Sequence, residues 1–231
     1  MTANRRGFFR EGVPLPPGLT IDHLFEAMSR TEKVFDILNE RLIEEGVEPL
    51  SKLVQANNLG GIISNVFTAQ LDRVSPYKRK SDQAHPDLEN QGIGLEIKSA
   101  NHAGKGGESH NGHTGWHIIA CYETDRETGR IVFIHIMITE LIGYERGEID
   151  WKLLQSTHDR GRTGHIETYS TTTQGRAKLL DGTIYLDTER VPNWRKWRRE
   201  HLNAPIPPHS IFHDSWRSQD AVKPRIRGEE S

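Results

Sequence analysis

Among the 231 residues there is one cysteine, Cys121. A disulfide framework and a cysteine-based zinc centre are excluded, and Cys121, set in an apolar run, reads as a buried, inert thiol. No charge of one sign prevails. Thirty Lys and Arg face 32 Asp and Glu, for a net charge of −2, so any attraction to nucleic acid has to be local. No apolar run approaches the ~18 residues of a membrane span. The longest, IVFIHIMITELIGY, is broken by His135, Thr139 and Glu140. The opening MTANRRGFFREG has no apolar signal core, and a soluble cytoplasmic protein is the expectation. There is no GxxxxGK[ST], since AGKGGES lacks the spacing, and no GxSxG, dinucleotide fingerprint or catalytic Cys/His pattern. An ATP site therefore has no support.

What is present has the size of one domain with elaborations. Residues 1–18 form an arm punctuated by Pro and Gly, 19–190 a core, and 191–231 a basic segment with interleaved tryptophans. Thr20 is placed to cap a helix whose apolar positions, Ile21, Leu24, Phe25, Met28, Phe35, Leu38 and Leu42, follow helical spacing up to Gly46. A second helical region runs from Leu50 to about Leu71, with an interruption expected at Gly60-Gly61. From Asp82 the period becomes two. Strands are predicted over 82–88, 93–99, 116–124 and 130–138, with weaker ones near 165–171 and 183–187. Helices followed by strands imply an α/β or α+β sheet with helices packed on it.

The stretch HPDLENQGIGLEIKSA, residues 85–100, carries the chemistry. In a strand over 93–99, Ile93, Leu95 and Ile97 share one face, and Gly94, Glu96 and Lys98 the other. A turn over Glu89–Gly92 that pairs Leu88 with Ile93 sets Asp87 opposite Gly94, on the face of Glu96 and Lys98. Gly94 then leaves room between two carboxylates. Such a pair suits a hard divalent cation such as Mg²⁺, with the Ile97 carbonyl as a third oxygen. Lys98 would stand beside the attacking water or stabilise charge on a phosphorane-like state. The plain alternative is a surface hairpin with a Glu96–Lys98 ion pair worth under about 1 kcal/mol.

Pro86-Asp87, followed after eight residues by Glu96-Ile97-Lys98, resembles the PD-(D/E)XK signature of the restriction-endonuclease-like nucleases, most of all a type II restriction enzyme. The resemblance implies a restriction-endonuclease-like mixed sheet flanked by helices, with an additional β-rich element and a basic tail. It implies Asp87, Glu96 and the Ile97 carbonyl as ligands of Mg²⁺, for which Mn²⁺ can substitute, and Lys98 as the residue acting on water. It implies a homodimer cutting double-stranded DNA within a restriction–modification system of a prokaryotic or phage-encoding host. An acid on an earlier helix is common in the family, and Glu44, Glu45, Glu48 and Asp72 are candidates. The chain departs from the family in placing a glycine-rich loop, residues 101–115, where a helix usually follows the Lys strand.

Three further constellations can be read. In the glycine-rich loop, Lys105, His110, Asn111 and His113 would touch phosphates or base edges. Alternative readings of the same histidines with His117 and Glu108 are a zinc cluster and a set of solvated loop residues. Residues 158–178 hold Arg160, Arg162, Gln174 and Arg176, side chains of the kind that read base edges, or that line an exposed hairpin. Arg195 and Arg198, in WRKWRREH, are suited to the phosphate backbone, while Trp194 and Trp197 could anchor a helix. Besides a sequence-specific endonuclease, the alternatives are a structure-specific repair, recombination or transposition nuclease, a catalytically silent DNA-binding module, and a histidine-cluster metalloenzyme.

Overall fold

A computed structural model describes residues 5–79, 86–105, 108–109, 112–158, 165–191 and 206–213. Helix α1 spans Ile21–Glu44, and the Thr20 hydroxyl accepts the His23 N–H (3.2 Å), as the capping pattern predicts. Its buried stripe is Leu24, Ala27, Met28, Thr31, Phe35 and Asn39. A single turn, α2 (Leu50–Leu53), precedes α3 (Ala56–Val74). The break thus falls at Val54-Gln55, and Gly60-Gly61 lie inside a continuous helix. Gly60 meets β3 there, its carbonyl accepting the Ser99 hydroxyl at 2.7 Å.

Nine strands follow: β1 (Lys78–Arg79), β2 (Leu88–Asn90), β3 (Ile93–Ala100), β4 (Glu108–Ser109), β5 (Gly115–Thr124), β6 (Ile131–Leu141), β7 (Trp151–His158), β8 (His165–Thr171) and β9 (Thr183–Leu186). Helix α4 (Thr173–Asp181) lies between β8 and β9. Among the described residues, six strands form a sheet ordered β1-β2-β3-β5-β6-β9, in which only β3 and β5 run parallel. The other three form a small antiparallel sheet, β4-β8-β7. Among the described residues, a loop containing only the short β4 crosses from β3 to β5. Of the strand predicted over 82–88, residues 82–85 lie outside the described set, Pro86 and Asp87 precede the ladder, and β2 begins at Leu88.

The large sheet separates two cores. On one face α1 and α3 pack on Leu95, Ile97, Ile118, Ala120, Ile136 and Ile138. On the other, β7, β8, α4 and residues 211–212 pack on Ile119, Cys121, Ile134 and Met137. A bulge in β6 lets one nearly continuous apolar run serve both. Cys121 pairs with His135 and Tyr122 with Phe133, so Ile134 is the extra residue. Ile131 and Phe133 before it, and Ile136 and Ile138 after it, therefore all reach the α1/α3 face. His135 is fully buried beside the bulge. Its Nδ1 accepts the Gly104 N–H (3.0 Å) and its Nε2–H donates to Thr183 Oγ1 (2.8 Å), which pins the root of the glycine-rich loop to the sheet. Cys121 is buried, and burial pushes its thiol up to about 12. The N-terminal arm is built into the structure: the Arg5 guanidinium pairs with Glu32 and donates to the Phe133 carbonyl. No helix among the described residues is long and apolar enough to cross a membrane.

Candidate active site at the β2–β3 hairpin

The hairpin turns on two residues, Gln91 (φ +50°) and Gly92 (φ +79°). Two left-handed residues in succession are the mark of a type I′ turn, whose twist matches the flanking strands. The turn is tighter than the four-residue turn expected, and it moves the register by two. Leu88 faces Leu95, Glu89 faces Gly94, and Asn90 faces Ile93. A shift of two preserves which side chains share a face. Continued by one residue, this register brings Asp87 level with Glu96 instead of Gly94.

Asp87 lies just before β2, where the backbone ladder has ended. Its Oδ2 accepts the Ile97 N–H (2.8 Å), taking the place a strand carbonyl would hold. The Ile97 carbonyl, on the same edge of the strand, accepts the Ser64 hydroxyl of α3 at 3.1 Å. Asp87 and the Ile97 peptide are thus gathered at the strand edge. Glu96 and Lys98 point away from the α1/α3 core and form an ion pair. Their surroundings differ from the exposed surface expected, because Glu96 is only 5% exposed. The room anticipated beside Gly94 is also filled. A Cβ there would lie 2.4 Å from Cγ of Pro86, so the proline ring occupies it.

Two clefts meet at this hairpin, and Pro86-Asp87 parts them. Asp87 opens on a groove of about 780 Å³ along α3. Glu96 opens on a cleft of about 340 Å³, whose walls include Glu89, His113, His117 and Glu145. Thr114 shapes the far wall, accepting the Gly143 N–H (2.8 Å) and donating to Glu145. That hydrogen bond holds the Glu145 carboxyl below its ordinary range. The parallel register sets His117 beside Glu96. His117 is 1% exposed, and its Nδ1–H donates to the Gly115 carbonyl (2.8 Å). Burial pushes its pKa down to about 4, against the opposing pull of that carbonyl and of the Glu96 carboxylate. Its Nε2 finds no partner among the described residues, and its ring packs on Trp151 with centroids 5.3 Å apart. The sequence places His117 in the strand predicted over 116–124 and, with His110 and His113, in an alternative metal cluster, but not beside Glu96. No local signal reveals which residue a parallel strand will set beside Glu96.

The remaining site residues separate into groups. Lys105 is exposed in the loop root, and His113 stands at the mouth of the smaller cleft. Gln174 and Arg176 are exposed on α4, a helix where an extended hairpin had been the alternative, and neither lines either cleft. His110, Asn111, Arg160, Arg162, Arg195 and Arg198 lie outside the described residues. None of the four candidate helix acids lines either cleft. Glu44 pairs with Arg41, Glu48 with Lys52, and Asp72 with Lys78. The helix positions nearest β3 are instead Gly60 and Ser64.

Among the described residues, no group of three or more His, Cys, Asp or Glu side chains is arranged to hold a metal ion. The oxygen donors on and beside β3 are the Asp87 and Glu96 carboxylates, which open on separate clefts, and the Ile97 carbonyl; oxygen ligands of this kind are those a hard cation takes. Comparison with protein-family models, curated proteins and solved structures returns no match.

Proposed function

We propose that the chain is a divalent-cation-dependent endonuclease that hydrolyses phosphodiester bonds of double-stranded DNA at a short specific sequence. In this reading the helix-flanked mixed sheet is of the restriction-endonuclease-like kind. The observation that carries it is the arrangement around one peptide unit. The Asp87 carboxylate sits on the Ile97 N–H, and Glu96 and Lys98 flank that same residue as an ion pair. Asp87, Glu96 and the Ile97 carbonyl would hold Mg²⁺ or Mn²⁺, which when bound supplies Lewis-acid polarisation of the phosphate. Asp87, fixed by its backbone hydrogen bond, loses little freedom on taking up a ligand. Lys98 balances the Glu96 charge in the ground state and offers its ammonium to the negative charge that develops on phosphorus. Cutting both strands of a palindrome calls for a two-fold dimer. Residues 158–178 would read base edges, and the basic tail would hold phosphates.

A second reading, a DNA-binding module without catalysis, draws on the same contacts, since each of the three side chains already has a partner within the chain. Incubation with mixed-sequence plasmid and Mg²⁺ decides between them. Discrete fragments that vanish in EDTA are expected. A smear or a preference for junctions indicates a structure-specific nuclease. A mobility shift without cleavage in either Mg²⁺ or Mn²⁺ indicates the silent module.

A further inference from the structure

The larger groove holds features that the proposed chemistry does not use. Along α3, Ile62, Val66 and Ala69 alternate with Asn65, Gln70 and Arg73 to form one wall, and Arg79 of β1 stands with Asp87 at the end. These α3 positions recur every three to four residues, so they make one continuous stripe. Two observations mark the stripe as able to receive a ligand. Arg73 and Arg79 make no ion pair with a carboxylate among the described residues, whereas Arg30 and Arg41 of α1 pair with Glu26 and Glu44. One guanidinium N–H of Arg79 donates to the Asn65 carbonyl, which orients the side chain and leaves its remaining donors unused. The second observation is Gln70. The residue is only 6% exposed, yet its amide has no hydrogen-bond partner among the described residues and is not one of the sealed polar atoms. A nearly buried amide with unused donors and acceptor is costly unless a ligand or water completes it.

Two guanidiniums without a carboxylate partner, an amide whose donors and acceptor open on the groove and an apolar floor match a polynucleotide strand, which offers phosphates, amide-like base edges and flat apolar faces. We propose that this groove carries one DNA strand to the site at Asp87, with Arg73 and Arg79 on its phosphates and the Gln70 amide on the same strand. The inference rests on the nuclease reading for its choice of polymer, but it is tested without cleavage.

The experiment is binding of fluorescent single- and double-stranded oligonucleotides in Ca²⁺, followed by anisotropy over a salt series. Replacing both arginines, Arg73→Ala with Arg79→Ala, is expected to weaken binding about tenfold or more and to lower the salt slope by roughly two for duplex. Gln70→Leu, similar in volume, is expected to weaken binding severalfold while leaving the fold intact by circular dichroism. A control pair with the same charge loss, Arg41→Ala with Arg126→Ala, should change little. The proposal is overturned if the groove variants keep wild-type affinity, if the control loses as much, or if the wild-type protein binds no DNA. Binding that depends on the groove, with no cleavage in Mg²⁺, would uphold this inference and remove the nuclease reading.

Discussion

Lys98 is where chemistry and stability meet. It is the charge partner of Glu96, whose side chain is 6% exposed, while its own is 27% exposed. Removing one member of a largely buried pair strands the other. Lys98→Ala should therefore lose most cleavage and also lower stability by on the order of 1–3 kcal/mol, the lower part of the range because water still reaches the lysine. Adding Glu96→Gln should recover part of that stability without restoring cleavage, and urea titration of the two singles and the double measures the coupling. Asp87→Asn retains shape and should abolish most cleavage while leaving DNA binding intact. Robust cutting by a folded Asp87→Asn protein would sink the assignment. The two buried histidines predict a pH effect. Burial lowers His135 to about 3 and His117 to about 4, so the unfolded chain takes up protons first, near its ordinary value of about 6.5. Their contribution is full above that pH and is lost as the pH falls toward the folded values, at up to ~1.4 kcal/mol per pH unit for each group. Denaturant titrations at pH 7.5 and pH 5 should show the loss, and His135→Gln should reduce it. Equal stability at the two pH values would contradict the burial of both rings.

At the scale of elements, the hairpin turn is the weak joint. Gln91 holds φ +50°, a region costly to residues with a Cβ and tolerated best by Gly and Asn. Gln91→Asn should raise the stability of the protein by on the order of 1 kcal/mol, read as a higher melting temperature with unchanged oligonucleotide binding. A lower melting temperature would mean that the Gln91 side chain has a structural role of its own. Elements governed by local signals were legible in the sequence. The Thr20 cap and the stripe of α1, the alternation in β3, β5 and β6, and the shared face of Glu96 and Lys98 all follow from spacing of 3.6 or 2. The parts that escaped depend on distant packing. Gly60 reads as a helix breaker, yet it lies within α3, where its carbonyl accepts the Ser99 hydroxyl of β3. The strand β7 went unseen. Pro86, read only as a motif letter, fills the space beside Gly94. At the site itself, the shared face of Glu96 and Lys98 was legible, but not the two-residue shift, the seat of Asp87 on the Ile97 N–H, the burial of Glu96 or the place of His117 beside it.

On the scale of the molecule, the sheet splits the described chain into two layers, with the hairpin at their shared margin. The α1/α3 layer supplies Ser64 to the Ile97 carbonyl, and the opposite layer supplies Trp151 behind His117. A change deep in either core can therefore move the site, and variants that lower activity are expected well away from residues 86–98. The parallel pairing of β3 with β5 has a consequence for the order of assembly. A hairpin closes over two residues in microseconds, whereas a parallel neighbour has to wait for the whole intervening loop to be drawn in. The carboxylates and the lysine are thus joined early, through short-range contacts, while Glu96 leaves water only when β5 arrives with His117. The nascent chain passes through a stage in which its acidic pair is present and still hydrated. Desolvation of Glu96 is the last local event in making the site, and it is timed by the longer-range of the two pairings that β3 makes.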